Sequence, residues 1–176
     1  MNGAGKLGRL GLAIAVVIVS VALSVTPARA DGIVRYENVG NPGWCMSAVS
    51  GDVELSNVLL VRCNSNDSRQ RFLWSVQPTG PMAGMIMLSE SSYPRVYCLT
   101  AINGYAAIDT CNVNNNNQYW SVWGQNGWVV YQLANTLQCL RPFGTDVVGS
   151  SYDIGLVTCP IRTNVPNIFA WRYYSS

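Results

Sequence analysis

Cysteines and aromatic residues recur along this chain in one phase, and that recurrence constrains the fold more than any other feature. Cys63, Cys111 and Cys159 lie 48 and 48 residues apart, and the aromatics that follow them, Phe72, Trp120 and Phe169, lie 48 and 49 apart. The earlier cysteines, Cys45, Cys98 and Cys139, are each followed by a bulky apolar residue: Met46, Leu99 and Leu140. Self-similarity at such a period marks one supersecondary unit copied along the chain. Three copies of about 48 residues fill residues 31–176.

Each copy runs in the same order: an apolar lead-in to a cysteine, a variable stretch, a second cysteine, a polar link, then an aromatic strand. The first copy reads Trp44-Cys45-Met46, Cys63 and Gln70-Arg71-Phe72-Leu73-Trp74; the second reads Tyr97-Cys98-Leu99, Cys111 and Gln118-Tyr119-Trp120-Ser121-Val122. The third reads Cys139-Leu140, Cys159 and Asn167-Ile168-Phe169-Ala170-Trp171. The closing pattern, Gln or Asn, any residue, aromatic, any residue, apolar, alternates with period two and predicts a half-buried strand. Asn41-Pro42-Gly43, Asn103-Gly104, Asn126-Gly127 and Pro142-Phe143-Gly144 punctuate short strands, so little or no helix is expected.

Residues 1–30 stand outside this pattern. Lys6 and Arg9 precede an apolar run from Leu10 to Val25, followed by Ala28-Arg29-Ala30, which is the layout of a secretory signal peptide with a small-residue cleavage site. The run is shorter than the ~20 residues a membrane span needs, and no later segment approaches that length, so no integral span is expected after cleavage. A retained anchor is the alternative. Beyond residue 30 the chain carries eight arginines, no lysine and nine acidic residues, a net charge of −1. The basic footprint of a nucleic-acid binder is therefore missing, and the surface is polar chiefly through neutral side chains. All six cysteines follow the leader, and an even number in an exported chain reads as disulfides.

Cysteine starts combined with a Gln-x-Trp element after the second cysteine, complete at Gln118-Tyr119-Trp120, resemble the ricin B-type lectin family across essentially the whole of residues 31–176. The resemblance implies an all-β fold, the β-trefoil, in which four short strands per copy cannot bury their own aromatic face and three copies close around a common axis. Phe72, Trp120 and Phe169 are then expected to meet inside. It also implies disulfides within copies, Cys45–Cys63, Cys98–Cys111 and Cys139–Cys159.

Catalysis is not expected. The chain has no histidine, which excludes triads built on an imidazole, and no spacing joins two of Asp52, Glu54, Asp109, Asp146 and Asp153 into one carboxylate pair. Close cysteine pairs for zinc are absent, so neither a metal nor a cofactor is expected. In ricin-type sites an acid two residues after the first cysteine and an aromatic two before the second frame a sugar, with an Asn–Gln pair before the Trp strand. Carried over, the acid position holds Ser47, Thr100 and Arg141, and the aromatic position holds Val61, Asp109 and Val157. The second copy keeps most: Thr100, Asp109, Asn117 and Gln118, with Tyr105 as a substitute face. The competing role for Gln118 and Asn117 is to satisfy backbone groups of the turn. Arg141 in place of an acid suits an acidic sugar. Trp74 and Trp171 are expected in the core or over the barrel mouth. Trp123 and Trp128 flank a hairpin turn, where core packing is the commoner outcome and an exposed platform the other. Asn66-Asp67-Ser68 has the form of a glycosylation acceptor.

The expected function is thus a secreted, non-catalytic module that binds glycans or glycoconjugates. The alternative is a cell-binding or scaffold subunit of a secreted toxin, resembling those of cytolethal distending toxins, that docks on a partner protein.

Overall fold

A computed structural model describes residues 32–50, 54–76, 83–89, 96–125, 127–143 and 151–175. The leader, Asp52, Asn126, Gly144 and Asp146 lie outside the described residues. Each copy supplies four strands. The first contributes β1 (Ile33–Asn38), β2 (Trp44–Ala48), β3 (Ser56–Arg62) and β4 (Phe72–Val76). The second contributes β5 (Ala83–Leu88), β6 (Tyr97–Ile102), β7 (Tyr105–Thr110) and β8 (Trp120–Gln125), and the third β9 (Trp128–Leu133), β10 (Gln138–Phe143), β11 (Ser151–Thr158) and β12 (Trp171–Ser175). One turn of 3-10 helix precedes the last strand of each copy, at Ser68–Gln70, Asn116–Gln118 and Asn167–Phe169. Among the described residues there is no α-helix.

The first and last strands of the three copies close into a six-stranded ring, β1-β4-β5-β8-β9-β12 and back to β1, antiparallel throughout. The middle strands form hairpins, β2–β3, β6–β7 and β10–β11, whose outer strands pair with one another in a triangle across one end of that ring. This arrangement is a β-trefoil. Closure gives every ring strand two neighbours, which removes the open edges that a flat three-copy sheet would expose. The β6–β7 hairpin shows how local chemistry sets the register: Asn103 and Gly104 take φ of 51° and 83°, the two left-handed residues of a type I′ turn, and Ile102 then faces Tyr105.

Threefold burial explains why the motif repeats. Met46, Leu99 and Leu140, each next to a cysteine, have no exposed surface, and neither have Phe72, Trp120 and Trp171, which open the last strand of each copy. Burying side chains of this size contributes roughly 1.5–3 kcal/mol each. The indole Nε1 of Trp120 donates to the Leu99 carbonyl at 3.0 Å, and that of Trp171 to the Leu140 carbonyl at 3.3 Å, so each ring is pinned to the hairpin of its own copy. The three disulfides close within copies, Cys45–Cys63, Cys98–Cys111 and Cys139–Cys159, at Cα separations of 4.9, 5.0 and 4.9 Å.

The third ring is a correction to the sequence reading. Phe169 does not join Phe72 and Trp120 in the central core; it packs in a satellite cluster with Val130 and Cys139, and Trp171 takes the central place. The link from Cys159 to the strand is three residues longer than the links after Cys63 and Cys111, so the aromatic nearest the constant spacing is Phe169, two residues short of Trp171. Phe169 instead falls where the first two copies have Gln70 and Gln118, at the end of the 3-10 turn.

Candidate functional site

The residues expected to form a sugar site in the second copy divide into two groups. Thr100, on β6, is buried, and its hydroxyl donates to the Cys98 carbonyl at 2.9 Å while accepting from Gln118 Nε2 at 3.0 Å. Gln118 is also fully buried. Its Oε1 accepts from the Asn112 amide at 2.7 Å, and its Nε2 also donates to the Thr110 carbonyl at 3.0 Å. Gln70 makes the same clasp in the first copy, accepting from the Asn64 amide at 2.9 Å and donating to the Arg62 carbonyl at 3.0 Å. A side chain that repeats one set of backbone bonds in two copies is a brace, because it satisfies amide and carbonyl groups that the ladder leaves unpaired. Gln118→Leu should therefore cost about 2–3 kcal/mol in urea unfolding, since it strands two backbone groups. Stability within a few tenths of the unaltered chain would show that the brace is not needed.

The remaining three residues do not gather around that brace. Asp109 is half-buried and accepts from the Thr110 amide at 2.7 Å, and Asn117 is exposed, its amide donating to Asn115 Oδ1 at 3.0 Å. Tyr105 is 48% exposed at the other end of β7, its ring 5.3 Å from that of Phe143. Four residues along a strand separate Tyr105 from Asp109 by about 13 Å, more than one sugar ring spans. Asn66 of the acceptor sequence is exposed in the turn before the first 3-10 helix.

An open recess forms instead where the second and third copies meet. Trp123 on β8 and Trp128 on β9 flank the turn of one hairpin, and Arg162, from the loop after β11, lies over Trp123 with its guanidinium carbon 5.1 Å from the ring centre. Together with Gly124 they line a shallow cleft of about 170 Å³. The floor is bare backbone: a Cβ on Gly124 would come within 2.8 Å of Val129 Cα, so only glycine lets the two strands approach here. Trp123 Nε1 donates to Gln132 Oε1 at 3.0 Å, and Gln132 Nε2 donates in turn to the Thr136 carbonyl, which fixes the indole by its edge. Both tryptophans are half-buried, backed by the satellite cluster that holds Phe169. Trp128 and Trp123 were legible as residues flanking a turn; Arg162 was not, because nothing in sequence ties it to a hairpin more than thirty positions upstream.

The position that holds Thr100 in the second copy is Arg141 in the third. Its guanidinium carbon sits 5.7 Å from the centre of the Phe169 ring, replacing the hydroxyl–amide clasp with a cation over an aromatic face. Its buried Nε has no hydrogen-bond partner among the described residues. Tyr36 and Tyr131 are the strongly shifted titratable groups; burial pushes both hydroxyls above their ordinary range, and both belong to the central core. Among the described residues no group of three or more His, Cys, Asp or Glu side chains is placed to hold a metal, and no helix is long and apolar enough to cross a membrane.

No protein-family model and no curated protein matches the sequence. Solved structures do match in fold. The designed threefold-symmetric protein ThreeFoil superposes with a TM-score of 0.65 at 12% identity, over 83% of this chain and 100% of its own. A chain of the Haemophilus ducreyi cytolethal distending toxin gives 0.64 at 10% identity, over 84% and 86%. The earthworm lectin C-terminal domain mutant in complex with 6′-sialyllactose gives 0.61 at 12% identity, over 82% and 99%. At these identities the likeness is one of fold: the chain shares its β-trefoil with lectins and with a toxin component.

Proposed function

We propose that this chain is a secreted, non-catalytic carbohydrate-binding module of the ricin B lectin type, with residues 1–30 as its leader and residues 31–176 as the binding domain. The observation that carries this reading is the open Trp123–Trp128 cleft. Indole faces cover the C–H surface of a pyranose, and the small volume suits one sugar ring held at a terminal position. Three disulfides fit an oxidising, extracytoplasmic setting. The earthworm lectin domain, one of the fold neighbours and seen with 6′-sialyllactose, lends the reading support by analogy of fold.

The test is a glycan array probed with the oxidised, folded domain and with Trp128→Ala. Selective signals that vanish in the variant are expected. Silence across neutral and acidic glycans from a folded protein would overturn the proposal. A second reading, docking on a partner protein, is favoured by the replacement of the sugar-site acid in all three copies, by Ser47, Thr100 and Arg141, with Ser47 and Thr100 buried. A glycan-silent protein whose gene neighbours encode a nuclease or another toxin subunit, and which forms a stable complex with that product, would support it.

A further inference from the structure

We infer that the cleft between the second and third copies selects carboxylate-bearing sugars, uronic or sialic acids at a glycan terminus, with Arg162 as the group that recognises the acid. The inference rests on the carbohydrate-binding reading and names its ligand class. Arg162 is exposed and has no acidic partner: among the described residues the one ion pair joins Arg69 to Asp67, in the first copy. Its contact instead is the Trp123 ring, which holds the planar guanidinium beside the recess and leaves its N–H donors available.

A planar fork of donors beside an aromatic wall matches a pyranose carrying a carboxylate. The ring stacks on indole, and the acid takes two parallel hydrogen bonds from the arginine. Among the described residues no carboxylate lines the cleft to repel an anion. The local charge points the same way. Beyond the leader the chain is net negative, yet the described part of the third copy carries Arg141, Arg162 and Arg172 against Asp153 alone. Arg141, over the Phe169 ring of the cluster that backs both tryptophans, adds a second cation to this side of the molecule. A field of one sign raises the local concentration of an oppositely charged ligand before any contact forms.

The experiment titrates the oxidised domain with matched pairs, methyl glucuronide against methyl glucoside and sialyllactose against lactose, followed by tryptophan fluorescence. In at least one pair the acidic member should bind about fivefold tighter at low salt, with the advantage shrinking as salt rises. Arg162→Gln should bring the ratio to about one, and Arg162→Lys should restore it only in part, because an ammonium cannot match the carboxylate with two parallel bonds. Arg62→Gln, which removes the same charge from over the Trp44 ring in the first copy, away from the cleft, should leave the ratio as it was. Equal binding of neutral and acidic members, lost in Trp128→Ala, would overturn the acid preference while leaving the lectin reading standing. Binding of neither would overturn both. Displacement of the sugar acids by acetate or sulfate at equal concentration would also overturn the inference, by showing an anion site with no use for the sugar ring.

Discussion

Full reduction of the three disulfides should lower the thermal midpoint by about 20–30 °C, or abolish a cooperative transition, measured by circular dichroism with and without a phosphine reductant. The bonds close loops with sequence separations of 18, 13 and 20 residues. In the chain-entropy account each such loop contributes about 3 kcal/mol by restricting the unfolded chain, and calorimetric work disputes the mechanism more than the size. About 9 kcal/mol in all is comparable to the whole stability of an ordinary domain, 5–15 kcal/mol. Each bond also fastens the middle hairpin of its copy: Cys45, Cys98 and Cys139 are buried beside the apolar residues that fill the core. An unchanged midpoint in a sample whose six thiols titrate as free would show that the ring and cap hold themselves together without sulfur.

Removing one central ring should be the most damaging single substitution. Trp120→Ala and Trp171→Ala are each expected to cost about 3–5 kcal/mol in urea unfolding, since both indoles are wholly buried and each leaves a hairpin carbonyl unpaired as well as a cavity. Trp123→Ala should cost about 1–2 kcal/mol, because a half-buried ring at a cleft already gives one face to solvent. Phe169→Ala should fall below Trp171→Ala, its cluster being smaller and set apart from the shared core. A Phe169 variant weaker than the Trp171 variant would mean that the third copy is phased as its spacing first suggests and that the central ring is misassigned.

The two Gln residues show how a sequence motif can be read correctly for fold and wrongly for chemistry. Gln118 stands before a tryptophan at the place where ricin-type sites carry a polar residue, and its type is compatible with holding a sugar hydroxyl. Burial and three filled hydrogen bonds leave it nothing to offer a ligand. Side-chain type tells what a residue is able to bond; only its neighbours tell whether that capacity is already spent. Tyr105 fails differently, being accessible but about 13 Å along the strand from the carboxylate it was paired with.

Sequence alone determined the repeat, the all-β architecture and the two rings at Phe72 and Trp120, because periodic apolar and cysteine positions must fall on equivalent faces of copied units. The placement of Trp171 required the folded chain, since a loop of altered length shifts phase without leaving a mark in residue type. The cleft also belonged to tertiary structure: Trp123 and Trp128 stand out in sequence as residues flanking a turn, but only closure of the third copy onto the β8–β9 hairpin brings the Arg162 guanidinium beside them. Patterns of burial are written locally along a chain, whereas a binding surface is made by segments that meet only when the ring closes.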